Sequence, residues 1–268
     1  MIGFNFRRYY QPLQPTAKAS DSSVFYQEML PAASLQDFIY CYWQLKSKQP
    51  LMSPYQYRVV ADGCVDLFFD VNNPLDSQVM GFCNGYTQFP LSGNFNYMGV
   101  RFFPAVFSRL FNIKATEISD RTEELQLVIP DLVEHLIVRV NQDKNLYLIA
   151  GILDKYFYLK LTKTIFEWDG RFYQALLMIM ANNGNIHLEK EIDTGLSPRQ
   201  LRRLFQFYIG QSGKAFSQVV QFQKLLASAK APRDILKQKT YFDMGYYDQS
   251  HFIKNFKRFY GVSPKNAR

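Results

Sequence analysis

Arg199, Arg202, Arg203 and Gln206 recur at intervals of three and four residues within LSPRQLRRLFQFYIG, Leu196–Gly210. On a helix that spacing places all four on one side. Three guanidiniums so close repel one another in water, and each is favoured opposite an anion. Their planar forks match phosphate oxygens or, bidentately, the edge of guanine. Leu201, Leu204, Phe205 and Tyr208 follow i, i+3, i+4, i+7 on another side and predict a buried stripe. Fifty-one residues later GYYDQSHFIKNFKRFYGVSP, Gly245–Pro264, repeats the pattern. Leu201 corresponds to Phe252, Arg203 to Lys254, Phe205 to Phe256, Gly210 to Gly261 and Ser212 to Ser263. In this copy Phe252, Phe256 and Phe259 form the apolar stripe, while Gln249, Ser250, Ile253, Lys254 and Lys257 point elsewhere.

Each copy carries the signals that start and stop a helix. Ser197 is the expected N-cap of the first, with Pro198 at the first helical position, where a missing N–H costs nothing. Asp248 is the expected N-cap of the second, its carboxylate accepting from an N–H near Ser250 or His251. Gly210 and Gly261 suit the left-handed residue just past a helix end. Gly195 and Gly245 suit the turns before the helices. Between the copies Phe216, Val219, Val220, Gln223 and Leu226 lie along one side of a continuous helix over Phe216–Ser228. The expectation is two helix-turn-helix units in one chain, held apart by that helix. Insertion on one side of a duplex requires a separation near one turn, roughly 34 Å.

Charge supports the same division. Residues 1–165 of the 268 carry 15 Lys and Arg against 15 Asp and Glu, whereas residues 166–268 carry 16 against 8. From Gly195 onward the count is 14 against 3, so the net charge of +8 lies wholly in the part holding the repeats. A neutral half joined to a basic half implies that one half meets a polyanion. A single basic amphipathic helix is usually only a solvated one; two capped copies carrying the whole charge excess are not.

Residues 168–268 resemble the DNA-binding domain of AraC-type (AraC/XylS) bacterial transcription regulators. Gly245–Pro264 follows that family's C-terminal signature nearly residue for residue, and Leu196–Gly210 is similar to its first recognition helix. Carried over by position, the resemblance implies base reading by Arg199, Arg202, Arg203, Gln249, Ser250, Ile253 and Lys254; the helical face adds Gln206. Expected phosphate contacts are Lys214, His251, Lys257 and Arg258. The chain departs from the family pattern at Tyr241, where a small alanine usually lets the scaffold helix pack closely. In the first unit's scaffold helix only Leu188 and Ile192 are clear apolar positions.

The first half reads differently. Short apolar runs bounded by Asp62-Gly63, Ser92-Gly93, Pro74, Pro90 and Pro104 predict strands, among them Val65–Phe69 and Val100–Phe103. Leu35, Phe38, Ile39 and Tyr42 fall at helical spacing and predict a helix over Leu35–Trp43. Tyr26–Leu45, Ala61–Asp70 and Met98–Pro104 resemble an uncharacterised, sensor-like N-terminal domain of some family members. Tyr40, Trp43 and Arg101 are the effector candidates; as alternatives, the two aromatics serve as core and Arg101 pairs internally with an Asp66-like carboxylate, since a buried cation must find an anion. Asp62, Asp66 and Asp70 read as turn or surface residues rather than metal ligands.

Cys41, Cys64 and Cys83 are sparse and unpaired in spacing, as expected of small buried hydrophobes in a reducing compartment. His135, His187 and His251 are too scattered for a metal site. No P-loop, G-x-S-x-G or H-E-x-x-H occurs. No long apolar run or secretory leader is evident, so a cytoplasmic location is expected, nucleoid-associated when on DNA.

The expectation is therefore an α+β chain. Residues 1–113 form a β-rich, by analogy cupin-like, regulatory domain; 114–165 a helical connector that could pair with a second copy; 166–268 a double helix-turn-helix domain. The function expected is sequence-specific transcription regulation without catalysis or cofactor. The partners in view are promoter DNA, a small-molecule effector, a homodimer mate and RNA polymerase. Two other classes stay open: a DNA-binding module fused to a small-molecule-processing enzyme or carrier, and a non-specific architectural protein.

Overall fold

In the computed structural model the described residues are 5–18, 23–140, 145–164 and 169–267. Two short helices, α1 (Phe6–Tyr9) and α2 (Pro15–Lys18), precede seven strands: β1 (Val24–Met29), β2 (Ile39–Ser47), β3 (Leu51–Val59), β4 (Val65–Asp70), β5 (Ser77–Met80), β6 (Thr87–Gly93) and β7 (Asn96–Phe102). After α3 (Val106–Phe111) a last strand, β8 (Thr122–Glu124), completes an antiparallel six-stranded sheet in the order β1-β2-β7-β4-β5-β8. β3 and β6 pair separately.

Alternation decides which face each side chain takes. Tyr42, Leu67, Phe69, Met98, Val100 and Phe102 enter the main core with the helices. Their neighbours Cys41, Trp43, Leu45 and Met80 turn to the other face, where Tyr57 and Val59 of β3 cover them in a second core. The region predicted as a helix, Leu35–Trp43, is instead a 3-10 turn at Ala33–Leu35 followed by β2. Both faces of β2 are buried, so its apolar residues run together and mimic helical spacing; pairing with β1 and β7 settles the matter.

The sheet reaches past residue 113, because β8 pairs with β5. Helices α4 (Leu125–Val128), α5 (Pro130–Arg139) and α6 (Leu146–Lys163) follow. They lie on the sheet: Phe157 meets Phe102 edge-on at 5.4 Å, and Asp154 accepts bonds from the Tyr42 hydroxyl at 2.8 Å and the Ala32 N–H at 3.0 Å. The boundary expected near residue 165 lies outside the described residues. Beyond it come α7 (Gly170–Ala181), α8 (Leu188–Glu191), α9 (Pro198–Tyr208), α10 (Gly213–Ala227), α11 (Pro232–Gln238) and α12 (Gln249–Tyr260). One continuous apolar core runs from the sheet through α6 and α7 to α12.

Among the described residues no helix is long and apolar enough to cross a membrane, and no three His, Cys, Asp or Glu side chains gather as a metal site. Cys41 and Cys64 are buried free thiols and Cys83 is half-buried.

Candidate nucleic-acid interface

The first repeat becomes α9. Ser197 caps it: its hydroxyl accepts the Gln200 N–H at 3.3 Å, while the Gln200 amide oxygen accepts the Ser197 N–H at 2.9 Å. This reciprocal box satisfies two orphan donors and sets where the helix begins. The inner stripe is anchored by Phe205, 1% exposed and 5.2 Å from the Phe172 ring of α7, and by Tyr208, stacked on the same ring at 5.3 Å. With that side held, Arg199, Arg202, Arg203 and Gln206 are all exposed. None of the four side chains has a hydrogen bond or ion pair to another described residue. Among the described residues nothing neutralises the three guanidiniums, which is the arrangement a phosphate or base edge would complete.

The second repeat becomes α12. Asp248 Oδ1 accepts the His251 N–H at 2.7 Å, as its N-cap role requires. Phe252, Phe256 and Phe259 are fully buried. Tyr241 is buried as well and lies parallel to Phe252, ring centroids 4.8 Å apart. The large residue in place of a small one is thus absorbed by stacking. Gln249, Ser250, His251, Lys254 and Lys257 are exposed, whereas Ile253 is half-buried against the core. His251 Nε2 lies 2.8 Å from Asn255 Nδ2, a local contact along the helix.

Helix α10 links the units. Phe216 contacts Phe205 of α9 at 6.1 Å, and Phe222 contacts Phe256 and Phe259 of α12 at 5.7 and 5.2 Å. Ser212 caps it, and Lys214 is exposed in its first turn. The scaffold helices α8 and α11 are short, four and seven residues, so α7 and α10 carry most of the support.

Sequence reasoning missed how the first half grips both units. Gln223, buried in α10, accepts the Leu13 N–H at 2.7 Å and donates to the Ala61 carbonyl at 2.8 Å. The end of α9 abuts the 115–119 turn: a Cβ on Gly210 would stand 2.7 Å from the Ala115 carbonyl oxygen. The end of α12 abuts β3 and the 84–86 loop, where a Cβ on Gly261 would stand 2.8 Å from Arg58 Nε. Both glycines have positive φ, +83° and +95°, so each serves as the helix stop and as the point of close approach. Arg258, expected on phosphate, belongs to this junction. Its Nε donates to the Asn84 carbonyl at 2.8 Å and its Nη2 to the Asn84 side chain. It sits at the last turn of α12, where the chain meets the first half, and the 84–86 loop supplies acceptors for its guanidinium. The available signals were the glycines themselves and a glutamine among apolar residues in α10.

The effector candidates separate. Arg101 is fully buried, and its guanidinium bonds Asp66 at 2.8 and 3.1 Å and Asp62 at 3.2 Å. Asp62 and Asp66 are therefore interior ions, not surface residues; Asp70, in its turn, is half-exposed. Burial pushes the Asp66 carboxyl up to about 6, Arg101 opposing and Asp62 adding to the shift. Tyr40 packs edge-on against Phe103 at 5.6 Å beneath the Arg7 guanidinium. Trp43 lines a cavity of about 210 Å³ between the sheet and the β3–β6 pair. The cavity's other aromatic walls, Tyr57, Phe68, Phe89 and Tyr97, were not singled out from the sequence; their signal is the two-residue spacing from Val59, Asp66 and Leu91 along strands.

Residues 193–268 match the family described as Helix-turn-helix domain, and residues 27–124 match the family described as Domain of unknown function (DUF6597). No curated protein matches the chain. Among solved structures, ToxT from Vibrio cholerae O395 is similar over 91% of this chain and 96% of its own, at 12% identity and a TM-score of 0.35. Unsaturated fatty acid-bound wild-type ToxT from Vibrio cholerae strain SCE256 is similar over 91% and 94%, at 12% identity and a TM-score of 0.34. At such scores the likeness carries no functional argument. The capped, exposed, cationic helix pair and the matching family together define a DNA-binding module. More particularly, residues 193–268 are an AraC-type helix-turn-helix domain, preceded in the chain by a DUF6597 domain.

Proposed function

We propose that the chain regulates transcription by binding specific promoter sequences, with α9 and α12 each entering a major groove. Arg199, Arg202, Arg203 and Gln206 read bases from α9; Gln249, Ser250 and Lys254 do so from α12, with Ile253 contributing apolar contact at its edge. Lys214, His251 and Lys257 hold phosphates, and Arg258 is withdrawn from that set by its bonds to Asn84. The carrying observation is the face of α9, four polar side chains exposed, and unpaired among the described residues, above a firmly packed stripe. A second copy of the chain would bring two half-sites together. Tyr147, Leu148, Tyr158 and Leu159 of α6, 44–70% exposed, supply an apolar surface that suits such pairing. The first half acts as the sensor, in the cytoplasm, and its grip on Gly210, Gly261 and Gln223 is what an effector would alter. Contact with RNA polymerase follows as the means of output. A processing enzyme is not favoured: among the described residues the cavity gathers only two ionisable carboxylates besides Tyr57 and Tyr97.

Selection of bound duplexes from a random pool tests this reading. A defined motif with half-sites one helical turn apart, roughly 34 Å, is the expected result. Arg202→Ala should then cost about 1–3 kcal/mol and relax preference at one base position. Recovery of no motif, or equal loss on every sequence for each of Arg199, Arg202 and Arg203, would leave a non-specific polyanion binder.

A further inference from the structure

The cavity's chemistry points to a class of ligand. Its walls are aromatic: Trp43, Tyr57, Phe68, Phe89 and Tyr97 contribute rings from five different strands. Phe68 stands among them, with ring centroids 6.1 Å from Trp43 and 6.2 Å from both Phe89 and Tyr97. Its charged lining residues are both acidic. Asp66 is buried at 4% exposure, and Asp76 is exposed toward solvent, held by the Tyr97 hydroxyl at 3.4 Å. No Lys, Arg or His lines it among the described residues. Arg101 offsets only part of this, because one guanidinium is shared between the Asp66 and Asp62 carboxylates. The local balance is therefore negative, within a ring-lined enclosure.

Faces of aromatic rings carry negative potential and attract cations, all the more where water is excluded. A carboxylate beside them accepts a charge-assisted bond from an ammonium, while an anion would meet repulsion with no cation among the described lining residues to offset it. Size sets the scale: a cavity of about 150 Å³ takes a benzene, and 210 Å³ leaves room for a short side chain beyond one ring.

We propose that this cavity binds a small aromatic amine, its ring among Trp43, Phe68 and Phe89 and its ammonium at Asp66. The inference deepens the reading of the first half as a sensor and rests on it for the regulatory consequence, though not for the binding itself. The consequence has a physical route. Asp66 shares Arg101 with Asp62, and Asp62 is fixed by Gln14 at 2.9 Å and, through its carbonyl, by Tyr10 at 2.6 Å. The 61–63 turn so held seats directly on α10, at Gln223 and Phe216.

The test compares three probes of similar shape: phenethylamine, 2-phenylethanol and 3-phenylpropionate. The chain has two tryptophans, so Trp168→Phe leaves Trp43 as the fluorescent reporter, with isothermal titration as a second readout. Phenethylamine should bind at least about tenfold more tightly than the alcohol, as a charge-assisted bond exceeds a neutral one, and the acid should bind most weakly. Phe89→Ala, on the half-exposed β6, should weaken the amine by about tenfold while circular dichroism stays unchanged. Equal or tighter binding of the acid, an unaffected Phe89→Ala variant, or no binding by any probe would overturn the inference. DNA affinity with and without phenethylamine separates the two claims. An amine that binds without changing DNA affinity removes the sensor reading and leaves the cavity assignment standing. Failure of phenethylamine to bind, together with a DNA response to an extract fraction that contains no amine, does the reverse.

Discussion

Replacing Arg101 by methionine should destabilise the protein strongly and in a pH-dependent way. The side chain is fully buried between Asp62 and Asp66, themselves 8% and 4% exposed. Methionine keeps the apolar stem but lacks the guanidinium, leaving two interior carboxylates without a counter-ion. Breaking a buried pair from one side costs about 3–5 kcal/mol, against a total stability of order 5–15 kcal/mol. With an m-value of about 2–3 kcal/mol/M, the urea midpoint should fall by roughly 1–2 M at pH 8. The sign of the pH dependence follows from Asp66. Its folded pKa, about 6, lies above the ordinary 3.8, so its contribution to stability is fully present below 3.8 and is lost as pH rises through about 6. Without Arg101 the Asp66 carboxyl, still facing Asp62 and Glu28, moves higher still, and the window of loss moves with it. The deficit of the variant should therefore be largest at pH 8 and shrink toward pH 5, where protonation replaces the missing cation. Adding Asp66→Leu should recover part of the loss at pH 8, since Asp62 keeps its bonds from Gln14 and the Cys64 N–H. Denaturant melts followed by circular dichroism at pH 5 and pH 8 measure all of this. A deficit below about 1 kcal/mol at pH 8, or one that ignores pH, would refute Arg101 as the counter-ion of the two interior carboxylates.

Ser197→Ala removes the cap of α9 and should lower stability by about 1 kcal/mol, read as a melting shift of roughly 2–4 °C. Gly210→Ala puts a Cβ against the Ala115 carbonyl at a positive φ, so it should cost at least about 1–2 kcal/mol and disturb DNA affinity as well, whereas an unchanged melt would show that the 115–119 turn yields freely. DNA affinity should fall with salt at a log–log slope near −0.9 per phosphate neutralised, and Lys214→Ala should make that slope shallower by about one unit; an unchanged slope would remove Lys214 from the phosphate set.

The helices that carry the candidate interface were legible because their signals are local. Ser197, Asp248, Gly210 and Gly261 act within a turn of their own helix, and the stripes of Leu201, Phe205, Phe252 and Phe256 obey one period. The β-rich half was legible as a class but not in detail. Strand β2 is apolar on both faces, so its period is hidden, and the Leu35–Trp43 helix was drawn from a pattern that pairing with β1 and β7 overrides. Strand β8, three residues long, carries no period at all and exists through its bonds to β5.

The amino-acid order alone determined that this chain displays two capped cationic helices, because capping, helical spacing and net charge depend on neighbours a few residues apart. Tertiary structure decided what those helices rest on. Arg258 is drawn to a loop 174 residues earlier, Arg101 finds two carboxylates across a sheet, and five rings from five strands enclose one cavity. Each of these depends on which distant segments the packed core brings within a few ångströms, and no local period records that distance.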